Sequence, residues 1–402
     1  MTQQEAKKRQ VKAARVSSFG TTVFTVWTQI ARETKSVNLG QGFPDFAPPA
    51  FTQDAVCQAF EGYQQYSPLA GMPALRQSLA SQAKNQWGKD VNPDTEITIT
   101  VGATEAIYAS IQALVDPGDE VILMEPFYDS YPASITMAGG VSRYVPMRPN
   151  ELGKWELDFD ELHAAITPKT KLVMLNNPNN PTGKCFTLEE LQQLADICIE
   201  HDLLVISDEV YDQLYFDDRQ HHPIALLPGM WDRTVTISSV GKTFSVTGWK
   251  IGWTIAGPEL TDAIRMAHQW IPFSVASPLQ NAAAIAIDLC QENDYYQELR
   301  EFYQKKRDYL VAALEQAGLR PLIPEGTYFI TVDTSAWGHE TDDDFCRHLA
   351  NEYGVVAIPP GAFYSKEHRH LAHNLARFAF CKQDEALEAA AKRLHNKGSH
   401  KS

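Results

Sequence analysis

Between about residues 97 and 257 the chain alternates short apolar runs with segments whose apolar residues recur at helical spacing. Ile97-Thr98-Ile99-Thr100-Val101 comes first and is followed by a helical stretch from Thr104 to Leu114. Glu120–Met124, Lys171–Leu175 and Leu203–Ser207 come next, then Val235–Ile237 and Ile251–Ile255. Between the third and fourth runs, Leu188 to Glu200 again shows helical periodicity. Short strands that are apolar on both faces, separated by helices, predict a mostly parallel sheet covered on both sides. The fold class is α/β.

The flanks read differently. Residues 293–317 are rich in Glu, Gln, Lys and Tyr at helical spacing and predict one long exposed helix. Two apolar strands, Thr327 to Val332 and Val355 to Ile358, and a final helix from Gln383 to Leu394 follow. The pattern predicts an N-terminal arm and part of a small domain over 1–45, a large domain over 46–292, and a smaller α+β domain over 293–402.

Bulk properties narrow the function. At 402 residues the chain is long enough for two domains. A formal net charge of −15 argues against a nucleic-acid binder, although it leaves room for a local cationic pocket. The six cysteines (57, 185, 198, 290, 346 and 381) contain no CxxC pair, which fits reduced thiols in a cytoplasmic protein. No apolar run approaches the roughly 20 residues of a membrane span. Residues 1–10 are basic without an apolar stretch behind them and read as a solvated arm rather than a secretory signal.

Candidate chemistry gathers where strands end, which is where open α/β sheets bind ligands. Gly102-Ala103-Thr104-Glu105 follows the first strand, Asn176 to Pro181 the third, and Asp208-Glu209-Val210-Tyr211 the fourth. Ser239 and Lys242 follow the fifth. A lysine delivered by a buried strand into small residues is disfavoured as an ammonium, which leaves a nucleophilic amine. Such an amine can form a Schiff base with an aldehyde cofactor, above all pyridoxal 5′-phosphate. Ser239 and Lys250 add a hydroxyl and a cation for a phosphate nearby.

Asn-Leu-Gly-Gln-Gly-Phe-Pro-Asp-Phe (38–46), Gly-Ala-Thr-Glu-Ala (102–106), Asn-Asn-Pro-Thr-Gly (179–183), Ser-Asp-Glu-Val-Tyr (207–211) and the segment 238–250 occur in one order. Together they resemble the class I aminotransferases of PLP fold type I. The resemblance runs from about residue 18 to 395, and it extends to the kynurenine aminotransferase, glutamine transaminase K and bacterial methionine aminotransferase group. Gly-Thr-Thr-Val-Phe (20–24), Glu-Pro-Phe-Tyr-Asp-Ser-Tyr (125–131) and Glu-Gly-Thr-Tyr-Phe (325–329) look especially like the methionine branch.

The resemblance implies a role for each matching residue. Lys242 would carry the cofactor and then move a proton at the substrate Cα, and Asp208 would face the pyridine nitrogen. Tyr211 and Asn180 would hydrogen-bond the cofactor's phenolic oxygen, while Tyr128 would stack on its ring. Ala103, Thr104, Ser239 and Lys250 would bind the phosphate, with Tyr66 reaching in from a second subunit of a homodimer. Many class I enzymes have arginine where Lys250 stands, so the charge is kept and the planar fork is lost.

Arg377 would grip the substrate carboxylate, and Gly42 would let the backbone approach it. Phe24, Phe273 and Ser274 would line the side-chain pocket, partly across the subunit boundary. None of these pocket positions is an arginine, so large neutral amino acids look better donors than aspartate, with a 2-oxo acid as acceptor.

Other readings differ in kind. Cysteine-conjugate β-elimination is the nearest alternative chemistry. A non-catalytic PLP-domain regulator would need a DNA-binding extension, and an NAD-dependent enzyme would need a GxGxxG after the first strand. His368, His370 and His373 form a histidine cluster, but no cysteine or carboxylate pattern completes a metal site there, and a solvated segment is the expectation.

Overall fold

The computed structural model describes residues 11–395 and contains a seven-stranded sheet. Its strands are β1 (Ile97–Thr100), β2 (Glu120–Glu125), β3 (Val141–Pro146), β4 (Thr170–Asn176), β5 (Leu204–Asp208), β6 (Thr234–Ser239) and β7 (Gly252–Ala256). Their order is β1-β7-β6-β5-β4-β2-β3. β7 runs antiparallel to both its neighbours, and every other pairing is parallel.

The two-residue period of a strand explains the double apolar face. In β4, Val173 and Leu175 enter one core with Leu191 and Leu194 of the helix Leu188–Glu200. Their neighbours Leu172 and Met174 enter the opposite core with Ile107 and Ile111 of the helix Gly102–Leu114. Thr187 and Glu190 form a reciprocal capping box that fixes where the first of these helices begins. β3 was not foreseen. It is an edge strand with Val141 exposed and Arg143 paired with Glu120, so it lacks the continuous apolar signature.

A second core joins distant parts of the chain. β8 (Arg320–Leu322), β9 (Phe329–Asp333) and β10 (Leu375–Ala379) form an antiparallel sheet in the order β8-β9-β10. The strand expected over 355–358 is two residues long, Val355–Val356, and pairs in parallel with Val37–Asn38. Ile358 instead bridges to Arg377 of β10. The long helix is Tyr295–Gln316, and it is not exposed all round: Leu299, Tyr303, Leu310 and Leu314 are buried against this core. Tyr211 and Leu214, just beyond β5, belong to the same cluster, so the loop after β5 ties it to the large sheet.

The basic arm read from residues 1–10 lies outside the described residues. Among the described residues no helix is long and apolar enough to cross a membrane.

Candidate active site

The carboxyl ends of β1, β4, β5 and β6 share one edge of the large sheet and surround a cavity of about 190 Å³. Antiparallel β7 begins on that edge, because Gly252 pairs with both Thr100 of β1 and Ser239 of β6. A Cβ at Gly252 would lie 2.6 Å from the Gly102 carbonyl carbon and 2.7 Å from the Ala103 nitrogen, so glycine permits the close approach. The segment leading into β7 therefore brings Lys250 against the start of the helix Gly102–Leu114. Lys250 adopts the left-handed conformation (φ 54°), and its Nζ is 3.2 Å from where a Gly102 Cβ would stand.

That helix has no side chain capping its first amides. Ala103 and Thr104 line the cavity there, together with Ser239 and Lys250. Uncapped N–H groups, a helix dipole, a hydroxyl and an ammonium make an anion site.

At the opposite side, Asp208 is buried at the last position of β5. Burial raises its carboxyl to about 6, against the opposing pull of the Tyr131 hydroxyl and the Val210 N–H. Tyr131 donates to Oδ2 at 2.6 Å, and Val210 donates to Oδ1 at 3.3 Å. Asn176 pairs with Asp208 across the sheet and donates from Nδ2 to its carbonyl at 2.8 Å. The Asn176 Oδ1 then accepts the Asn180 N–H at 2.7 Å, which sets the Asn-Pro loop.

Lys242 stands between these ends on the short helix Val240–Thr243. It opens onto the cavity, but its amine is enclosed by protein. Nζ donates to the Gly42 carbonyl at 3.3 Å and lies 5.7 and 5.4 Å from the Tyr211 and Tyr328 ring centres. Burial lowers its pKa to about 8, with Arg377 and Lys250 also disfavouring the charge and Cys381 and Asp208 opposing them. The unprotonated amine is therefore much more available at neutral pH than for an ordinary lysine. Burial holds the Tyr211 phenol well above its ordinary range and the Tyr128 phenol at about 12, so both keep their protons to donate.

Arg377 lies behind the cavity wall at Asn180 rather than lining it. It is buried, and burial lowers its pKa to about 10. Nη1 donates to Asn180 Oδ1 at 3.0 Å and Nη2 to the Gly40 carbonyl at 2.9 Å, while Nε has no partner. Its guanidinium carbon sits 4.0, 5.0 and 5.4 Å from the rings of Phe329, Phe363 and Phe24. Gly42 is small for a reason that sequence could not supply: a Cβ there would meet the Phe329 ring at 2.5 Å. The Gly42 carbonyl also accepts the Tyr328 hydroxyl at 2.6 Å.

Three expected site residues lie elsewhere in the single chain. Tyr66 is 75 % exposed and Phe273 is 66 % exposed, and their rings meet edge-to-face at 5.2 Å. Ser274 accepts the Ser67 N–H at 2.8 Å. None of the three lines the cavity.

The histidine cluster is also not simply solvated. His368 is paired through Nδ1 with buried Glu125, and His370 faces the Glu367 carbonyl. Among the described residues, a grouping able to hold a metal is His163, Glu200 and His201, on helix ends away from the cavity.

The class I and II aminotransferase family model matches residues 34–394. The chain belongs to that family. The aminotransferase is 45% identical to the kynurenine–oxoglutarate transaminase of Dictyostelium discoideum, with 93% of each chain covered. It superposes on the N-succinyldiaminopimelate aminotransferase of Mycobacterium tuberculosis with a TM-score of 0.92, at 40% identity over 96% of this chain and 99% of that one. A methionine aminotransferase structure from Escherichia coli gives a TM-score of 0.91, at 38% identity over 96% of this chain and 100% of the other.

The α/β architecture is PLP fold type I, and the enzyme uses pyridoxal 5′-phosphate. The residues present fit that group, with an anion cradle at one end, a buried carboxylate at the other and an enclosed amine between them. Tyr131, Tyr328 and Asn176 were not singled out from sequence. All three lie inside segments quoted from the sequence, but their hydrogen bonds link segments far apart in the chain.

Proposed function

We propose that this aminotransferase draws its amino group from a large neutral amino acid, of the methionine, aromatic, kynurenine or glutamine type, and passes it to a 2-oxo acid. The observation that carries the reading is Arg377, a buried guanidinium walled by Phe24, Phe329 and Phe363 with its Nε unpartnered. A planar fork suits one carboxylate. Among the described residues lining the neighbouring cavity there is no arginine to receive a second. Relatives named for kynurenine and methionine support the assignment, while the relative named for N-succinyldiaminopimelate supplies the contrast to test.

Methionine, phenylalanine, kynurenine, glutamine, aspartate and N-succinyldiaminopimelate should be assayed against several 2-oxo acids. A neutral donor should give the highest kcat/KM. A desolvated, unpaired side-chain carboxylate costs several kcal/mol, more than the apolar contacts that separate the neutral donors. An acidic donor at the top of the panel would show the pocket assignment to be wrong.

When bound, the cofactor supplies an aldehyde that captures the amine and a ring that takes up electrons released at Cα. Ala103, Thr104, Ser239 and Lys250 would hold its phosphate. Asp208 would face the ring nitrogen and keep it protonated, with Tyr131 fixing the carboxylate. Tyr211 and Asn180 would donate to the phenolic oxygen, and Tyr128 would cover the ring. Lys242 removes a proton from the substrate Cα and returns it on the other side of the transfer. Arg377 and the Gly42 segment orient the substrate carboxylate.

The active form is a homodimer in this reading. Tyr66, Trp270 and Phe273 are large, exposed rings, and Tyr66, Phe273 and Ser274 act across the boundary on the partner's site. We take the chain as an arm over 1–45, a large domain over 46–292 and a small domain over 293–402, a reading supported by the core that gathers Trp27 and Leu39 with Leu299, Tyr303 and Phe378. Six free thiols favour a reducing compartment, and we assign the enzyme to the cytoplasm.

A further inference from the structure

One carboxylate ties the loop beyond Ile358 to the end of β2. Glu125 is 0 % exposed, and its two oxygens receive the Ser365 N–H and His368 Nδ1. Two residues on, the Phe127 N–H donates to the Phe363 carbonyl at 2.9 Å. Phe363 is thereby held 5.0 Å from the Arg377 guanidinium carbon, with its ring centre 6.0 Å from that of Phe24. A buried carboxylate needs partners on both oxygens, so this loop is pinned where Glu125 can reach it. The His368 side chain is only 18 % exposed, and no residue of the cofactor cavity touches this pair in the hydrogen-bond network.

We propose that His368 is a positioning residue for the amino-acid substrate. Through Glu125 it clamps the 359–373 loop so that Phe363 closes the wall beside Arg377. The clamp sets how well the substrate carboxylate is received and leaves the cofactor end alone. The inference rests on the reading of Arg377 as the carboxylate site. A purely architectural ion pair would instead lower stability and active-enzyme yield without changing KM.

The test uses PLP-loaded enzyme with methionine and phenylalanine as donors. H368A should raise KM for both on the order of tenfold or more while kcat stays within about threefold, because binding geometry is loosened and the proton transfer is not. The cofactor absorbance should be unchanged. H368N, which retains a side-chain N–H donor, should recover most of the lost affinity. Should H368A not fold, F363L reads the same wall with the Glu125 pair intact and should also raise KM.

An unchanged KM in H368A, a loss of bound cofactor, or no recovery in H368N overturns the clamp. R377K separates the two readings. If R377K raises KM and H368A does not, the clamp alone fails. If R377K leaves KM unchanged, the carboxylate assignment fails, and the clamp's stated target fails with it.

Discussion

The two ends of this site are built in different ways. The Asp208–Lys242 end stands on adjacent strands of one sheet, with Asp208, Asn176 and Ser239 each closing a strand and held in register by the ladder. The Arg377 end is assembled from the 40–42 segment, the Asn180 loop, β9, β10 and the loop bearing Phe363. Asn180 belongs to both, since it lines the cavity and accepts from Arg377. A ladder fixes side chains to a fraction of an ångström with few long-range ties, whereas an assembled pocket depends on every segment that walls it. The difference predicts that substitutions at the sheet edge act on turnover and that substitutions at the arginine end act on substrate affinity.

Lys242→Ala is the largest break. In the proposed reaction it removes the group that moves the Cα proton, and kcat should fall by about 10²–10⁴-fold or more. Phosphate and ring contacts remain, so the fold and reversible cofactor binding should persist. Stopped assays together with borohydride bleaching of the cofactor absorbance would check both halves. Near-wild-type turnover would remove Lys242 from the mechanism.

Asp208→Asn comes next. If Asp208 faces the ring nitrogen as proposed, losing its negative charge should lower kcat roughly a hundredfold, with a smaller change in cofactor binding. The same residue makes a stability prediction of opposite sign. Its folded pKa, about 6, lies above the ordinary 3.8, so the native state holds the proton more tightly. The stability linked to that proton is complete below pH 3.8 and is lost as pH rises through 6. Cofactor-free Asp208→Asn should therefore be more stable than the parent at pH 7, by about 2–3 kcal/mol, and no more stable below pH 4. Urea unfolding at the two pH values measures it, and an equal difference at both would exclude the carboxylate as its source.

The same contrast explains what could be read from sequence. Strands β1, β2 and β4 to β7 were visible because both of their faces are buried, and their ends marked Asp208 and Ser239 without help from tertiary structure. β3 was missed because its outer half faces solvent. Arg377 looked like any arginine on an apolar segment. Its role came from the family resemblance alone, and its three rings are contributed by segments some 340 residues apart at the extremes, which no local pattern encodes. His368 failed for the same reason: a histidine-rich loop reads as solvated until Glu125, more than 240 residues earlier, is seen beneath it.

Arg377→Lys sharpens the comparison from the other side. Lysine keeps one charge and loses the fork that bonds Gly40 and Asn180 while facing the substrate. KM should rise about tenfold to a hundredfold, the equivalent of one or two charge-assisted hydrogen bonds, with a smaller effect on kcat. A variant whose kcat falls while KM holds would mean that the two ends are not separable.

Tyr66→Phe should have the smallest effect, because in the proposed site it would remove one donor from a phosphate that a helix N-terminus, a hydroxyl and an ammonium would also hold. Loss of one hydrogen bond to a charged group is worth on the order of 1.5–3 kcal/mol, and the remaining donors should keep this one near the lower figure, so cofactor retention should weaken by about tenfold. Tyr66 is 75 % exposed in the single chain and does not line its own cavity, so any such effect has to come through a partner. Mixed dimers make the point directly. Pairing a Lys242→Ala subunit with a Tyr66→Phe subunit places both defects in one site and leaves the other unmutated at these positions. That dimer should recover up to about half of the parental activity, since one of two sites is intact. If confirmed subunit exchange brings no recovery, Tyr66 does not serve the partner's cofactor, and the phosphate end is complete within one chain.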